Sequence, residues 1–324
     1  MNYVQKLRIC DTPWVCVHHR SGWRFALESL RTLHSTKGVR VEGIIEKRFV
    51  FGKDVGERLN DFAPIREPWI GFFHNPPYVP EEFGVGASAG DIIALPEWRE
   101  SMEFCLGIFT LSTYLAEWLR PQVNVTVCAV PHPTEDPTTT FSFDRFRQAS
   151  NNSVIHIGWW LRKFCSFYAL PVSRRSKTLL QIDRPFINDV VTAEKLKMVW
   201  SKVTEPRVVH YLDNPMFDDL LAANIVFADF YDSSANNTVI ECLVRNTPII
   251  VNRHPAVEEY LGSDYPLFFN TLEEAGALAD DDSAVAAAHE YMIQRTDLKM
   301  RVTGEYFVNA IARSSIYQAL PLLK

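Results

Sequence analysis

Residues 222–262 read AANIVFADFYDSSANNTVIECLVRNTPIIVNRHPAVEEYLG, and their pattern predicts strand, loop, helix, strand, loop, helix. The segment 224–230 is short, apolar and rich in β-favouring residues, as a strand buried in a parallel sheet requires. Residues 231–237 are a cluster of small polar side chains that ends the strand and offers helix caps. The run TVIECLVRN then sets Val239, Leu243 and Asn246 near one helical face, with Glu241 on a neighbouring one. Thr247-Pro248 stops that helix, and Ile249, Ile250 and Val251 form the next strand. A polar loop opening a helix presents backbone N–H groups, a ready site for an anion. Ser233, Ser234, Asn236, Asn237 and Thr238 are the residues placed there. A carboxylate one turn further in, Glu241, can accept hydrogen bonds from hydroxyls above that anion. Phosphate plus sugar hydroxyls describes a nucleotide or a nucleotide-sugar. The plainer reading is that the Ser and Asn side chains only cap a helix.

The stretch resembles the donor-binding segment of GT-B glycosyltransferases, the nucleotide-sugar-dependent enzymes of the family 1 and family 4 type. There an E-x7-E pattern sits before a helix and is followed by a Pro-Val/Ile-Val strand. Glu241 falls on the second glutamate, and the resemblance implies that it holds the donor ribose. The first glutamate position falls on Ser233, a departure from the pattern, and Asp232 is the nearest acid, one residue early. The contact that the first glutamate makes with the transferred sugar therefore passes to Asp232 or is lost. The resemblance implies an α/β chain of two Rossmann-like domains facing across a cleft.

At 324 residues the chain is long enough for two domains or one large α/β domain. Its hydrophobic content of 47% supplies packed cores and argues against disorder. A net charge of −6 gives no general electrostatic reason to bind nucleic acid. Six cysteines are scattered without C-x-x-C spacing, so neither a disulfide framework nor a zinc site is expected. The N-terminal MNYVQKLRICDTPW lacks the apolar core of a signal peptide, and no segment reaches 18 uninterrupted apolar residues. The expectation is a cytoplasmic chain with at most peripheral membrane association.

Two βα series follow one another, with no sequence repeat. In the first, residues 14–17 read as a strand ended by His18-His19-Arg20-Ser21-Gly22, and a helix follows over 23–33. That loop opens at the carboxyl edge of a parallel sheet, where ligands bind in open α/β folds. His18, His19, Ser21 and Gly22 are therefore acceptor-side candidates, although adjacent loop histidines are often just solvated. Residues 39–45 and 48–51 read as β-like around a charged turn. Trp69 to Phe73 is a clear buried strand ending at His74-Asn75-Pro76-Pro77, where two prolines forbid continuation. His74 is a candidate general base or a ligand for hydroxyls or phosphate, with Asn75 beside it; the alternative is a histidine bonded locally to stiffen the loop. Gly84, Gly86 and Gly90 do not fit a dinucleotide fingerprint and read as a mobile acceptor-side loop. A helix over 96–104, a strand over 106–111, Ser112 capping a helix over 113–119 and a strand over 123–130 complete this half. His132 in the following Pro131-His132-Pro133 reads as structural.

Residues 1–135 thus form the acceptor-side domain and 136–152, polar with three consecutive threonines, the linker. Residues 153–305 form the donor-binding domain, and 306–324 a C-terminal helix packing back on the first. The second series opens with a strand at 154–158 ending in Gly158, then Trp159, Trp160, Leu161, Arg162 and Lys163. GT-B enzymes carry a glycine at this strand end followed by basic residues, which implies that Arg162 and Lys163 neutralise the donor diphosphate as charge builds on it. The tryptophans suggest a walled pocket; the plainer alternative is a surface pair. Residues 178–182 are weakly strand-like, 193–200 helical and 208–212 a strand. By the same resemblance Tyr211, Asp213 and Asn214 lie near the nucleotide base. Asp280, Asp281 and Asp282 precede an alanine-rich helix and suit its N-terminus, not a metal site.

The expected function is transfer of a sugar from a nucleotide-diphosphate sugar to a hydroxyl acceptor, a glycan or related glycoconjugate. His74, His19 and Asp232 are its catalytic candidates. No metal and no cofactor is required, because a helix dipole and an arginine can neutralise the leaving group. The alternatives are a nucleotide-sugar epimerase or hydrolase of the same fold, and a non-catalytic subunit.

Overall fold

The computed structural model describes residues 3–9, 22–50, 63–83, 87–149, 152–180, 185–196, 203–210 and 212–322. The chain is α/β and divides into two compact units, unit 1 being Met1–Glu135 with Met300–Lys324 and unit 2 Asp136–Lys299.

Unit 1 runs β1 (Leu7–Ile9), α1 (Trp23–Ser29), β2 (Val39–Glu42), α2 (Ile45–Phe49), β3 (Trp69–Phe73), α3 (Ala89–Ala94), α4 (Pro96–Met102), β4 (Cys105–Thr110), α5 (Thr113–Leu119) and β5 (Val127–Ala129). The strands form one parallel sheet in the order β1-β2-β3-β4-β5. Every residue of β3 is buried, and its alternating side chains feed two layers. On one face Phe72 stacks on Phe109 of β4 at 5.0 Å and meets Trp23 of α1. On the other, Trp69 and Phe73 pack on Trp98 of α4.

Some expectations for this half need correction. Arg48 and Phe49 are helical, not β-like, because they lie in α2. Ile45 and Phe49 are both buried four residues apart, the spacing of a helical face. Gly90 lies in α3, whose start is locked by a capping box between Ser88 and Asp91. The strand expected over 123–130 keeps only the three residues of β5. The strand expected at 14–17, and Gly84 and Gly86, lie outside the described residues.

Unit 2 runs α6 (Phe143–Gln148), β6 (Ser153–Ile157), α7 (Phe164–Ala169), β7 (Ser176–Leu180), α8 (Pro185–Leu196), β8 (Arg207–Val209), α9 (Asn214–Ala223), β9 (Ile225–Ala228), α10 (Asn237–Arg245), β10 (Ile249–Asn252), α11 (Pro255–Leu261), β11 (Phe268–Phe269), α12 (Leu272–Asp280) and α13 (Asp282–Gln294), with α14 (Thr296–Arg301) reaching the boundary. The segment read as a polar linker thus carries a helix, with Phe146 fully buried. The parallel sheet has the order β11-β10-β9-β6-β7-β8. The chain builds outward from β6 to β8, then returns to lay β9 to β11 on the other side. This is the doubly wound Rossmann order, and connections diverge at the carboxyl ends of β6 and β9, where such folds bind ligands.

Asn236 caps α10 by accepting the Thr238 N–H at 3.0 Å. Its other end closes on Asn246, left-handed at φ 57°, with the Thr247 N–H reaching the Cys242 carbonyl at 2.9 Å. An asparagine tolerates that backbone where most side chains do not.

The last helices, α15 (Gly304–Arg313) and α16 (Ser315–Ala319), belong to unit 1. Phe307 packs on Trp23 and Phe72. Ile316 lies so close to Gly107 of β4 that a Cβ there would sit 2.7 Å from it. No described helix is long and apolar enough to cross a membrane. Cys105, Cys128, Cys165 and Cys242 are free thiols.

Gly107 is the contact that seats α16. Gly107→Ala should destabilise the chain by about 1–3 kcal/mol, the usual cost of overpacking. Chemical denaturation should register this loss, and a second change, Ile316→Ala, should make the added methyl nearly neutral.

Candidate functional site

The loop after β6 turns sharply, with Gly158 at φ 79° and the buried Leu161 at φ 59°. The second value is unusual for a leucine and marks a constrained turn. The turn folds Arg162 back over Gly158, where a Cβ would lie 3.0 Å from the guanidinium. Only glycine meets both demands, a left-handed backbone and room for that group.

Arg162 is 6% exposed. Its Nη1 donates to the Trp160 carbonyl at 2.7 Å. Its Nη2 donates to Thr238 Oγ1 at 2.9 Å and Asn236 Oδ1 at 3.2 Å. The guanidinium lies 5.3 Å from the Phe230 ring centre, and its Nε is buried with no hydrogen-bond partner. Every acceptor is neutral, and no carboxylate pairs with Arg162 among the described residues. Burial lowers its pKa to about 10, so it stays charged at neutral pH. The neighbouring His156 is held neutral, pushed to about 3 by burial and then by Arg162 itself. A buried, uncompensated cation therefore touches the first turn of α10, whose amides lack intrahelical partners apart from capping. Chemically, such an arrangement can hold an anion.

Gly158, Arg162, Asn236, Asn237 and Thr238 thus converge at the switch point, with Ser233 and Ser234 buried in the same β9–α10 connection. Lys163 departs from expectation. Its ammonium is held by the buried Asp229 at 2.9 Å, and Ser166 donates to the other Asp229 oxygen at 2.6 Å. The lysine neutralises a protein carboxylate rather than a diphosphate. Glu241 is buried and ion-paired with Arg245, which also donates to Asp218 at 2.9 Å. Asp232 accepts from the Ser233 N–H at 2.7 Å and from His254 Nε2 at 3.0 Å, so it is no free acid. The His254 Nδ1 in turn accepts the Ala256 N–H and caps α11. Asp213 caps α9 through the Met216 N–H, and Asn214, its first residue, is exposed. Tyr211 lies outside the described residues.

In unit 1 the ends of β2, β3 and β5 bring together Gly43, His74 and His132 around Trp23. The Trp23 ring lies 4.4 Å from His74 and 5.5 Å from His132. His74 Nε2 donates to the Gly43 carbonyl at 2.9 Å. Burial pushes His74 to about 3 and His132 to about 4. A ring so reluctant to take a proton is a weak base at neutral pH. Of the roles open to His74, the neutral ring favours a hydrogen-bonding one over general base. Asn75 is buried and donates to the Ala87 carbonyl at 2.7 Å, which ties the loop. Gly22 is the extended residue before α1. His18, His19 and Ser21 lie outside the described residues.

Sequence reasoning missed Glu46, Asp218, Arg245 and His254. Glu46 is 1% exposed, and its Oε1 accepts the N–H groups of both His74, at 2.6 Å, and Asn75, at 2.5 Å. No local pattern marks such a residue, since its partners lie nearly thirty positions along the chain. Arg245 is four residues beyond Glu241, a helical pairing that could have been found.

No protein-family model and no curated protein matches the chain. Solved structures do. Sucrose-phosphate synthase from Thermosynechococcus elongatus superposes with a TM-score of 0.52 at 17% identity, covering 75% of this chain and 65% of that one. HepE of Anabaena, solved with UDP and glucose, gives 0.56 at 13% identity, covering 76% and 71%. A UDP-forming α,α-trehalose-phosphate synthase from Burkholderia xenovorans, with glucose-6-phosphate, gives 0.54 at 13% identity, covering 90% and 76%. The chain spans just under two thirds of the first of these. Its fold is that of the GT-B glycosyltransferases, two parallel sheets with alternating helices.

Glu46 has a measurable signature. Its carboxyl is raised from 4.5 to about 7, by burial against the opposing pull of the backbone N–H bonds. Between those values the folded chain holds a proton that the unfolded chain has lost. Its stabilising contribution is thus complete below about 4.5 and lost as pH rises through about 7. Glu46→Gln should flatten this fall in unfolding free energy, which reaches at most about 1.4 kcal/mol per pH unit. Parallel denaturation curves for both proteins from pH 5 to 8 would refute the assignment.

Proposed function

We propose that the chain transfers a sugar from a nucleotide-diphosphate sugar to a hydroxyl acceptor. The observation that carries this reading is Arg162, a buried guanidinium with neutral partners at the mouth of α10. Removing a charge from water without a counter-ion is costly unless a ligand supplies one. The diphosphate of a sugar nucleotide supplies it, held by Arg162, the amides near Asn236, Asn237 and Thr238, and the Ser233 and Ser234 hydroxyls.

In the reaction the acceptor oxygen bonds to the anomeric carbon while that carbon's bond to the diphosphate breaks. The nucleoside diphosphate leaves with the electron pair, and the hydroxyl proton is released. Negative charge grows on the leaving group, so a cation already in place stabilises the transition state more than the ground state. No metal is needed for that role. Glu241, shared with Arg245, holds the ribose, and Asp213 and Asn214 lie toward the base. Asp232 contacts the transferred sugar through its His254-bound carboxylate. In unit 1 His74, with Gly22, Asn75 and the loop of His18, His19 and Ser21, takes the acceptor. HepE binds UDP and glucose, and the trehalose-phosphate synthase binds glucose-6-phosphate, so UDP-sugars and sugar acceptors are the first trials. The expected setting is cytoplasmic.

Calorimetry with UDP tests the reading. Arg162→Met should weaken UDP binding by about 1.5–3 kcal/mol, the range for hydrogen bonds to charged groups, or about 10- to 150-fold. It should also leave the fold as stable or more so, because a buried uncompensated charge is removed. Equal UDP affinity in wild type and variant, or none in either, defeats the proposal.

A second measurement addresses the ribose. Wild type should prefer UDP to its 2′-deoxy analogue, and Glu241→Gln should shrink that preference several-fold. An unchanged ratio removes Glu241 from the site.

A further inference from the structure

We propose that Glu46 is the positioning residue of the acceptor side, holding the His74 ring in one tautomer and one orientation through the backbone it grips. The proposal rests on the reading of unit 1 as the acceptor side.

Glu46 and Gly43 lie three residues apart in the β2–α2 segment, and between them they clamp His74 at two points. Glu46 Oε1 takes the His74 and Asn75 N–H groups, at 2.6 and 2.5 Å. The Gly43 carbonyl takes the ring Nε2–H at 2.9 Å. A carbonyl can only accept, so Nε2 carries the proton and Nδ1 is the lone-pair nitrogen. Trp23 blocks the ring from the side at 4.4 Å. The backbone bonds set where the Cα of His74 lies, and the ring bond sets where Nδ1 points. A hydroxyl donor on a sugar would meet that nitrogen.

Glu46 Oε1 is committed to two backbone amides. Here Oε2 is buried with no hydrogen-bond partner. On α2 itself, Lys47 is half-buried and forms no ion pair with Glu46, and Arg48 is turned to the Ala63 carbonyl. On α3, Asp91 is held by Ser88. His74 and His132 are neutral. Nothing charged pairs with the carboxyl among the described residues, so its ionisation alone changes the strength of its hold on the two amides. Ionised, it accepts strongly; protonated, it accepts weakly and buries an unmet O–H.

The test uses the full chain with 15N-labelled histidine and UDP-glucose as donor, with water as acceptor and UDP release as readout. In the wild type the His74 ring should show a single tautomer protonated at Nε2, and turnover should rise with pH through about 7. Glu46→Gln, which keeps an accepting oxygen, should retain the tautomer and turnover but lose the inflection. Glu46→Ala should mix the tautomers and lower turnover at least tenfold while UDP affinity stays within twofold. A folded Glu46→Ala protein with the wild-type tautomer and rate overturns the proposal. If that variant does not fold, an inflection surviving in Glu46→Gln overturns it instead. Loss of UDP binding in the wild type would defeat the donor reading and leave the ring spectra still to judge Glu46.

Discussion

The guanidinium of Arg162 organises the strand ends of unit 2 where the β6–α7 loop meets the start of α10. A full positive charge removed from water, with only carbonyl, amide and hydroxyl oxygens around it, sits at an electrostatic deficit that those neutral groups do not relieve. Several features exist to hold it there. Gly158 gives up its side chain so that the guanidinium can fold over the turn. Leu161 accepts a left-handed backbone to reverse the chain. Asn236 commits its side chain to Arg162 as well as to its helix, and Thr238 commits its hydroxyl to Arg162. The charge is placed where the first turn of α10 adds to its field.

Around it, other charges are cancelled. Lys163 meets Asp229, Arg245 meets Glu241 and Asp218, and His254 meets Asp232. These buried pairs need not add much net stability. Their consequence is electrical: among the described residues they leave Arg162, at the first turn of α10, with no carboxylate partner. The β9–α10 and β10–α11 connections are tied by the Asp232–His254 pair and by Asn252, which exchanges two hydrogen bonds with the Phe230 backbone.

Unit 1 presents a different chemistry at its own carboxyl edge. His74 and His132 are neutral, Trp23 is apolar, and the buried Glu46 is occupied with backbone amides. Among the described residues this edge offers directional hydrogen-bonding groups and no unpaired cation. On the proposed reading, unit 2 supplies charge to a leaving group and unit 1 supplies geometry to a neutral molecule.

Local pattern determined a great deal. The β9–α10–β10 unit, the strand at Trp69–Phe73, the glycine at 158 and the capped helix after Ser112 follow from periodicity, caps and breakers, which act over a few residues. Arg162 could be picked out because a strand-end glycine followed within a few residues by basic side chains resembles the GT-B pattern. What the sequence could not reveal is which charges are already matched. Arg162 and Lys163 are adjacent and alike on paper, yet one is unpaired and the other belongs to Asp229, 66 positions away. Glu46 reads as one more acid in a charged turn, yet its helix turns it inward to His74. Electrostatic partnership and burial are decided by contacts between distant segments, and only the packed sheet brings those segments together.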